Sequence, residues 1–155
     1  MVRCGLALYG LELLEDKKCL PHGMQPIMSI KSRILKIRAI KNGEYSGYGN
    51  RFKAYRDSKV AVVGIGYGDG ISRKWKEVLI AGQRFPVINY CMDSIIVDIT
   101  DSKVEIKEFD EVVLVGKQLN ESISWEQACK SIETSADEQL QKVTERVYRN
   151  YYYEN

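Results

Sequence analysis

Val60-Ala61-Val62-Val63-Gly64-Ile65-Gly66-Tyr67-Gly68-Asp69-Gly70 sets the architecture of this chain. Branching at Cβ restricts χ1 in a helix but packs well on a pleated surface, so residues 60–67 predict a buried strand. The strand runs into closely spaced glycines, which open backbone conformations closed to other residues and mark a turn that presents Tyr67. Upstream, Gly47-Tyr48-Gly49 places a second tyrosine in a glycine-flanked turn. Neither stretch has the G-x-G-x-x-G spacing or a Walker lysine, so nucleotide binding at the glycine turn is rejected.

Outward from this stretch the chain reads as further strands. Residues 28–40 alternate apolar and polar side chains with a slip in phase near Leu35, predicting a long strand with a bend or bulge that Asn42-Gly43 ends. Residues 78–81 and 84–89 flank Gly82-Gln83 as a tight hairpin, and 94–99 and 111–115 are two more strands. Beyond Gly116 the pattern changes: Ser124 with Gln127 forms a capping box opening a helix to Ile132, and Ser135 with Glu138 opens a second. Residues 2–9 read as a strand, set apart from the others by a possible helical turn at 11–18 and a loop holding Pro21, His22, Gly23 and Pro26. About six strands with turn signals at short spacing suggest a small barrel or a sandwich.

Composition narrows the function classes. The length of 155 residues suits one domain, and 45% apolar with 28% charged residues is ordinary for a soluble globular protein. A formal charge of +2, with no basic stripe interleaved with aromatics, argues against nucleic acid. No apolar run reaches the roughly 20 residues that span a bilayer, and a signal-peptide pattern is not seen at the start. Cys4, Cys19, Cys91 and Cys129 lack paired metal spacing and read as reduced thiols of a cytosolic protein. With one histidine, His22, acid–base work falls to another proton carrier, and a phenol is among the few available.

Each motif taken alone has a structural reading. Tyr48 and Tyr67 serve as turn residues covering a barrel mouth, and Cys91-Met92-Asp93 as a kink between two strands with Cys91 a small buried hydrophobe. Arg3, Arg73 and Lys74 are then solvated cations, and the tail with Tyr151, Tyr152 and Tyr153 is packing or interface. His22 has no nearby partner in sequence and is given no role. Order and spacing together raise the functional reading above these.

Read in order, Met1 to Gly10, Met28-Ser29-Ile30-Lys31-Ser32-Arg33, Gly43-Glu44 with Gly47-Tyr48-Gly49, Ile65 to Gly70 with Arg73, Cys91-Met92-Asp93, and Glu111 to Gln118 resemble the C-terminal part of the alanine racemase family. The resemblance covers the chain up to about Arg149. It implies a mainly β fold, a small closed, Greek-key-like six-stranded barrel with short C-terminal helices. Residues 1–10 would then be the last strand of an absent N-terminal barrel, and 11–155 the C-terminal β-domain.

The same resemblance implies a racemase dependent on pyridoxal 5'-phosphate (PLP), held as a Schiff base by a lysine of that N-terminal barrel and not of this chain. It implies a head-to-tail homodimer in which the β-domain of the second subunit completes each active site around a small amino acid. By family position Arg3 hydrogen-bonds the pyridine nitrogen, and Gly5 and Leu6 supply backbone amides to the cofactor phosphate. Tyr48 matches the catalytic tyrosine that moves the α-proton on one face, Tyr67 and Arg73 line the entry corridor, and the Met92 amide meets the substrate carboxylate. Racemisation needs a proton carrier on each face of a planar carbanion, with PLP as the electron sink. A free phenol has a pKa of about 10, so such a base needs cationic neighbours near neutral pH.

Two positions depart from the family pattern. Asn89 stands where an arginine usually precedes Cys-Met-Asp, and Asp137 replaces a second active-site tyrosine that narrows the pocket. A shorter polar group at 137 opens space for a hydroxyl, as in the similar serine racemases of vancomycin-resistance clusters, so alanine and serine both stand as substrates. A parent of that type would be membrane-anchored; otherwise the expectation is cytoplasmic. A non-catalytic dimerisation or binding module of the same fold is the competing class. The chain by itself is expected to be inactive.

Overall fold

A computed structural model describes residues 1, 3–11 and 24–152. His22, Cys19 and the helical turn expected at 11–18, apart from Leu11, lie outside the described residues. Among the described residues nine strands follow one another: β1 (Ile30–Ile40), β2 (Tyr45–Ser46), β3 (Phe52–Lys53), β4 (Ser58–Val63), β5 (Glu77–Ile80), β6 (Gln83–Tyr90), β7 (Ile95–Asp98), β8 (Glu111–Gln118) and β9 (Glu121–Ile123). Helices α1 (Trp125–Ser131) and α2 (Ala136–Lys142) come last.

Six strands close on themselves in the order β1-β4-β7-β6-β5-β8 and back to β1, with β9 appended to β8 and β2–β3 a separate hairpin. Successive hairpins β5–β6–β7, with β8 returning beside β5, give the Greek-key arrangement. Closure depends on β1, which serves two neighbours. Residues 30–33 pair with β8 and 34–40 with β4, and the register against β4 shifts between Ile34 and Lys36. Leu35 is therefore the extra residue of a bulge, where the phase of the sequence slips. A bulge bends and twists its strand, and here that carries β1 from one neighbour to the other.

The core fills the ring. Ile34, Val63, Ile95, Val97 and Leu114 are fully buried inside it, with Trp75 and Trp125 also enclosed. Residues 112–115 of β8 are buried without alternation, because α1 packs on this strand as well. The expected capping box is present: Gln127 N–H donates to Ser124 Oγ at 3.2 Å, and Ser124 N–H to Gln127 Oε1 at 3.0 Å. The indole of Trp125 donates to Met28 O at 2.8 Å, tying α1 to the start of β1.

Three expectations are corrected. Residues 2–9 were expected as a strand, but Leu6–Tyr9 is a 3-10 turn whose Leu8 and Gly10 N–H groups bond locally to Gly5 O and Ala7 O. Its amides find partners one turn away because no strand of the described chain lies beside it. The strand expected over 60–67 stops at Val63, and residues 67–69 form a second 3-10 turn. The short strands β2, β3 and β9 were not anticipated; each is only two or three residues long, below the length at which alternation is visible. Among the described residues, no helix is long and apolar enough to cross a membrane.

Candidate active site

One rim of the ring gathers the two tyrosine turns and the link between β6 and β7. The glycine turn after β4 is held from within, with Gly66 N–H donating to Asp69 Oδ2 at 2.8 Å. It is held from outside by Tyr67 N–H to Cys91 O at 3.1 Å and Gly68 N–H to Met92 O at 2.7 Å. A Cβ at position 66 would lie 2.4 Å from Cys91 O, so the close approach of the two backbones requires glycine there. The turn also rests on the C-terminal segment. Arg146 Nε donates to Asp69 Oδ1 at 2.9 Å, and the Gln139 amide donates to Gly70 O at 2.8 Å.

Tyr48 stands on a 3-10 turn within the β2–β3 hairpin and is 71% exposed. Tyr67 is partly exposed, and the Arg73 guanidinium lies over its ring at 4.0 Å. A cavity of about 270 Å³ is lined by Tyr48, Gly49, Arg51, Tyr67, Arg73 and Tyr90. Neither Arg51 nor Arg73 pairs with a carboxylate among the described residues. Two guanidinium groups in one lining give this rim a positive character that attracts anions. The Tyr90 hydroxyl donates to Trp75 O, and burial raises its pKa, so it acts as a wall rather than a proton carrier.

A larger cleft of about 540 Å³ lies by the β5–β6 hairpin and contains none of the expected site residues. Its Arg84 is neutralised by Glu77 and Glu121. The smaller cavity is the candidate because it gathers three of the expected site residues, Tyr48, Tyr67 and Arg73.

The structure thus brings Tyr48, Tyr67 and Arg73 together. Met92 adjoins them across Gly68, with its carbonyl engaged and its N–H without an acceptor among the described residues. Asp137 does not line the cavity. It lies exposed on the first turn of α2, where the Ser135 hydroxyl and then the N–H groups of residues 137 and 138 hold its carboxyl below the usual range. Arg3, Gly5 and Leu6 lie on the N-terminal segment, away from the cavity lining; Arg3 and Gly5 are exposed and Leu6 is buried. Sequence reading missed Arg51 and Tyr90. The signal for Arg51 was a cation three residues after Tyr48, within the same turn; Tyr90 gave none beyond its place before Cys91. Among the described residues, no cluster of His, Cys, Asp and Glu could hold a metal ion.

Comparisons with known proteins place this geometry in context. The family model for the alanine racemase C-terminal domain matches residues 27–151. Alanine racemase 2 of Clostridium acetobutylicum is 53% identical over 154 residues, covering 99% of this chain and 39% of that protein. The alanine racemase of Clostridium difficile 630 superposes with a TM-score of 0.83 at 36% identity, covering 95% of this chain and 38% of that one. A Bartonella henselae alanine racemase with covalently bound pyridoxal phosphate gives 0.84 at 30% identity, covering 96% and 40% respectively.

Proposed function

The chain belongs to the alanine racemase C-terminal domain family, and from that premise we propose that it is the β-domain of a PLP-dependent racemase interconverting L- and D-alanine. The observation that carries this reading is the exposed Tyr48 phenol on a cavity that it shares with the Arg51 and Arg73 guanidinium groups. The remainder of the enzyme, including the lysine that holds the cofactor, lies outside this chain. Residues 1–10 belong with that N-terminal barrel and residues 11–155 form the β-domain.

The residues present fit the cofactor. The N–H groups of Gly5 and Leu6 have no acceptor among the described residues, and a Cβ at Gly5 would meet nothing within 4 Å. Two adjacent free amides with open approach suit phosphate oxygens, and the exposed Arg3 suits a ring nitrogen. When bound, PLP supplies the electron sink that makes the α-hydrogen of an amino acid acidic. The chain's own part is proton handling and orientation. Tyr48 takes or returns the α-proton through its hydroxyl, with Arg51 and Arg73 in the lining of the same cavity. The Met92 N–H binds a substrate carboxylate oxygen, and Tyr67 with Arg73 narrows the approach and excludes water.

The test is racemisation by the complete enzyme carrying this domain. Tyr48→Phe is expected to lower kcat by about 10²- to 10⁴-fold, the range for a lost general acid–base. An unchanged kcat removes Tyr48 from the role. Serine is the second substrate to assay, because Asp137 is a short polar group where the family has a tyrosine. Asp137→Tyr is expected to reduce serine turnover more than alanine turnover, and an unchanged ratio excludes Asp137 as a determinant.

A further inference from the structure

Asn89 is 1% exposed, yet its side chain uses both polar ends on backbone groups. Its oxygen accepts from Tyr90 N–H at 2.7 Å. Its Nδ2 donates to Ser46 O at 2.7 Å and reaches Tyr48 O at 3.5 Å. The residue between those two carbonyls is Gly47, at φ 77°, where a Cβ would lie 2.3 Å from Asn89 Nδ2. The amide therefore occupies the space that a side chain at position 47 would fill. Strand β6 bulges just before Asn89, with the register against β7 shifting between Val87 and Asn89.

The tyrosine turn has little else to hold it. Strands β2 and β3 pair through two residues each. Among the described residues, the hydrogen bonds that reach residues 46–49 and 51 from outside the hairpin come from Asn89 alone. We infer that Asn89 is a positioning residue for Tyr48, fixing the Ser46 and Tyr48 carbonyls so that the phenol stays over the cavity. This rests on the reading of Tyr48 as a proton carrier. The donor is the essential feature. An aspartate of the same shape would turn a carboxylate oxygen on two carbonyl oxygens and release the turn.

The experiment uses the complete racemase carrying Asn89→Asp, with Asn89→Ser as a second variant of neutral charge too short to reach both carbonyls. Amide hydrogen exchange across residues 45–51 is expected to rise about tenfold or more, as for loss of one buried hydrogen bond, while β4 and β8 keep their rates. The kcat for alanine is expected to fall about tenfold or more, with KM within about threefold, as for an interaction that acts through geometry of the reacting group. Exchange of the α-hydrogen with solvent should fall for one enantiomer, the one whose proton Tyr48 handles, far more than for the other. A merely structural role would lower both alike. Either variant retaining kcat within about twofold, or losing both exchange reactions equally, overturns the proposal. Tyr48→Phe with unchanged kcat would instead defeat the parent reading; the exchange rate of residues 45–51 then decides whether Asn89 holds the turn.

Discussion

Asp69 lies nearly buried beneath the glycine turn, one carboxylate oxygen on Gly66 N–H and the other on Arg146 Nε. The two bonds differ in worth. Gly66 is buried, so its N–H would lose its acceptor without gaining water, at a cost of about 1–3 kcal/mol. The Arg146 side chain is 54% exposed, and an ion pair in that setting contributes about 0–1 kcal/mol. Asp69→Ala is thus expected to destabilise more than Arg146→Ala in equilibrium urea unfolding, with Asp69→Asn between them because its amide oxygen still accepts from Gly66. Equal losses for Asp69→Ala and Arg146→Ala would show that the ion pair dominates. Cys129 gives a pH-dependent case. Burial first, and then the carboxylates of Glu126, Asp137 and Glu138, push its thiol up to about 11. Since the thiolate is the reactive form, alkylation of Cys129 in the folded protein should stay slow at pH 8 and rise only as pH approaches that value. Mapping alkylated peptides by mass spectrometry against exposed Cys4 checks it.

At the scale of elements, β1 carries the most information. Its outer halves belong to different neighbours, and Leu35 supplies the offset between them. Side chains alternate across a strand, so a one-residue slip exchanges the buried and exposed sets. Deleting Leu35 forces one half out of register, placing either Ile30 or Ile40 on the wrong face. The expected result is loss of cooperative thermal unfolding or of soluble protein, whereas Leu35→Ala, at a half-exposed position, should cost about 1 kcal/mol or less. The strand, its bulge, the β5–β6 hairpin and the Ser124 capping box were all legible in sequence, since each arises from sterics or hydrogen bonds within a few residues. Asn89 was legible only as a departure from a family pattern. What it grips, the Gly47 turn, lies more than forty positions away.

For the whole molecule, the candidate site opens to solvent at one rim of the ring, and its lining supplies phenols and guanidinium groups but no lysine. The relatives that share this domain are about two and a half times as long. If the β-domain of one subunit completes the active site of the other, full-length subunits lacking the cofactor lysine and subunits carrying Tyr48→Phe should complement when co-expressed. Random assortment into dimers would restore roughly a quarter of the wild-type activity. No recovery would place Tyr48 and that lysine in the same subunit's site. The sequence by itself determined the longer strands β1, β4, β5, β6, β7 and β8, the two helix starts and the glycine spacing of the tyrosine turns, because alternation, β-branching and capping act over short range. Tertiary structure alone decided that β1 closes on β8 as well as β4, that the segment at 6–9 coils into a 3-10 turn, and that Arg51 and Tyr90 join Tyr48, Tyr67 and Arg73 around one cavity. Those outcomes depend on which distant groups meet when the ring closes, and residue order within a local window does not encode that.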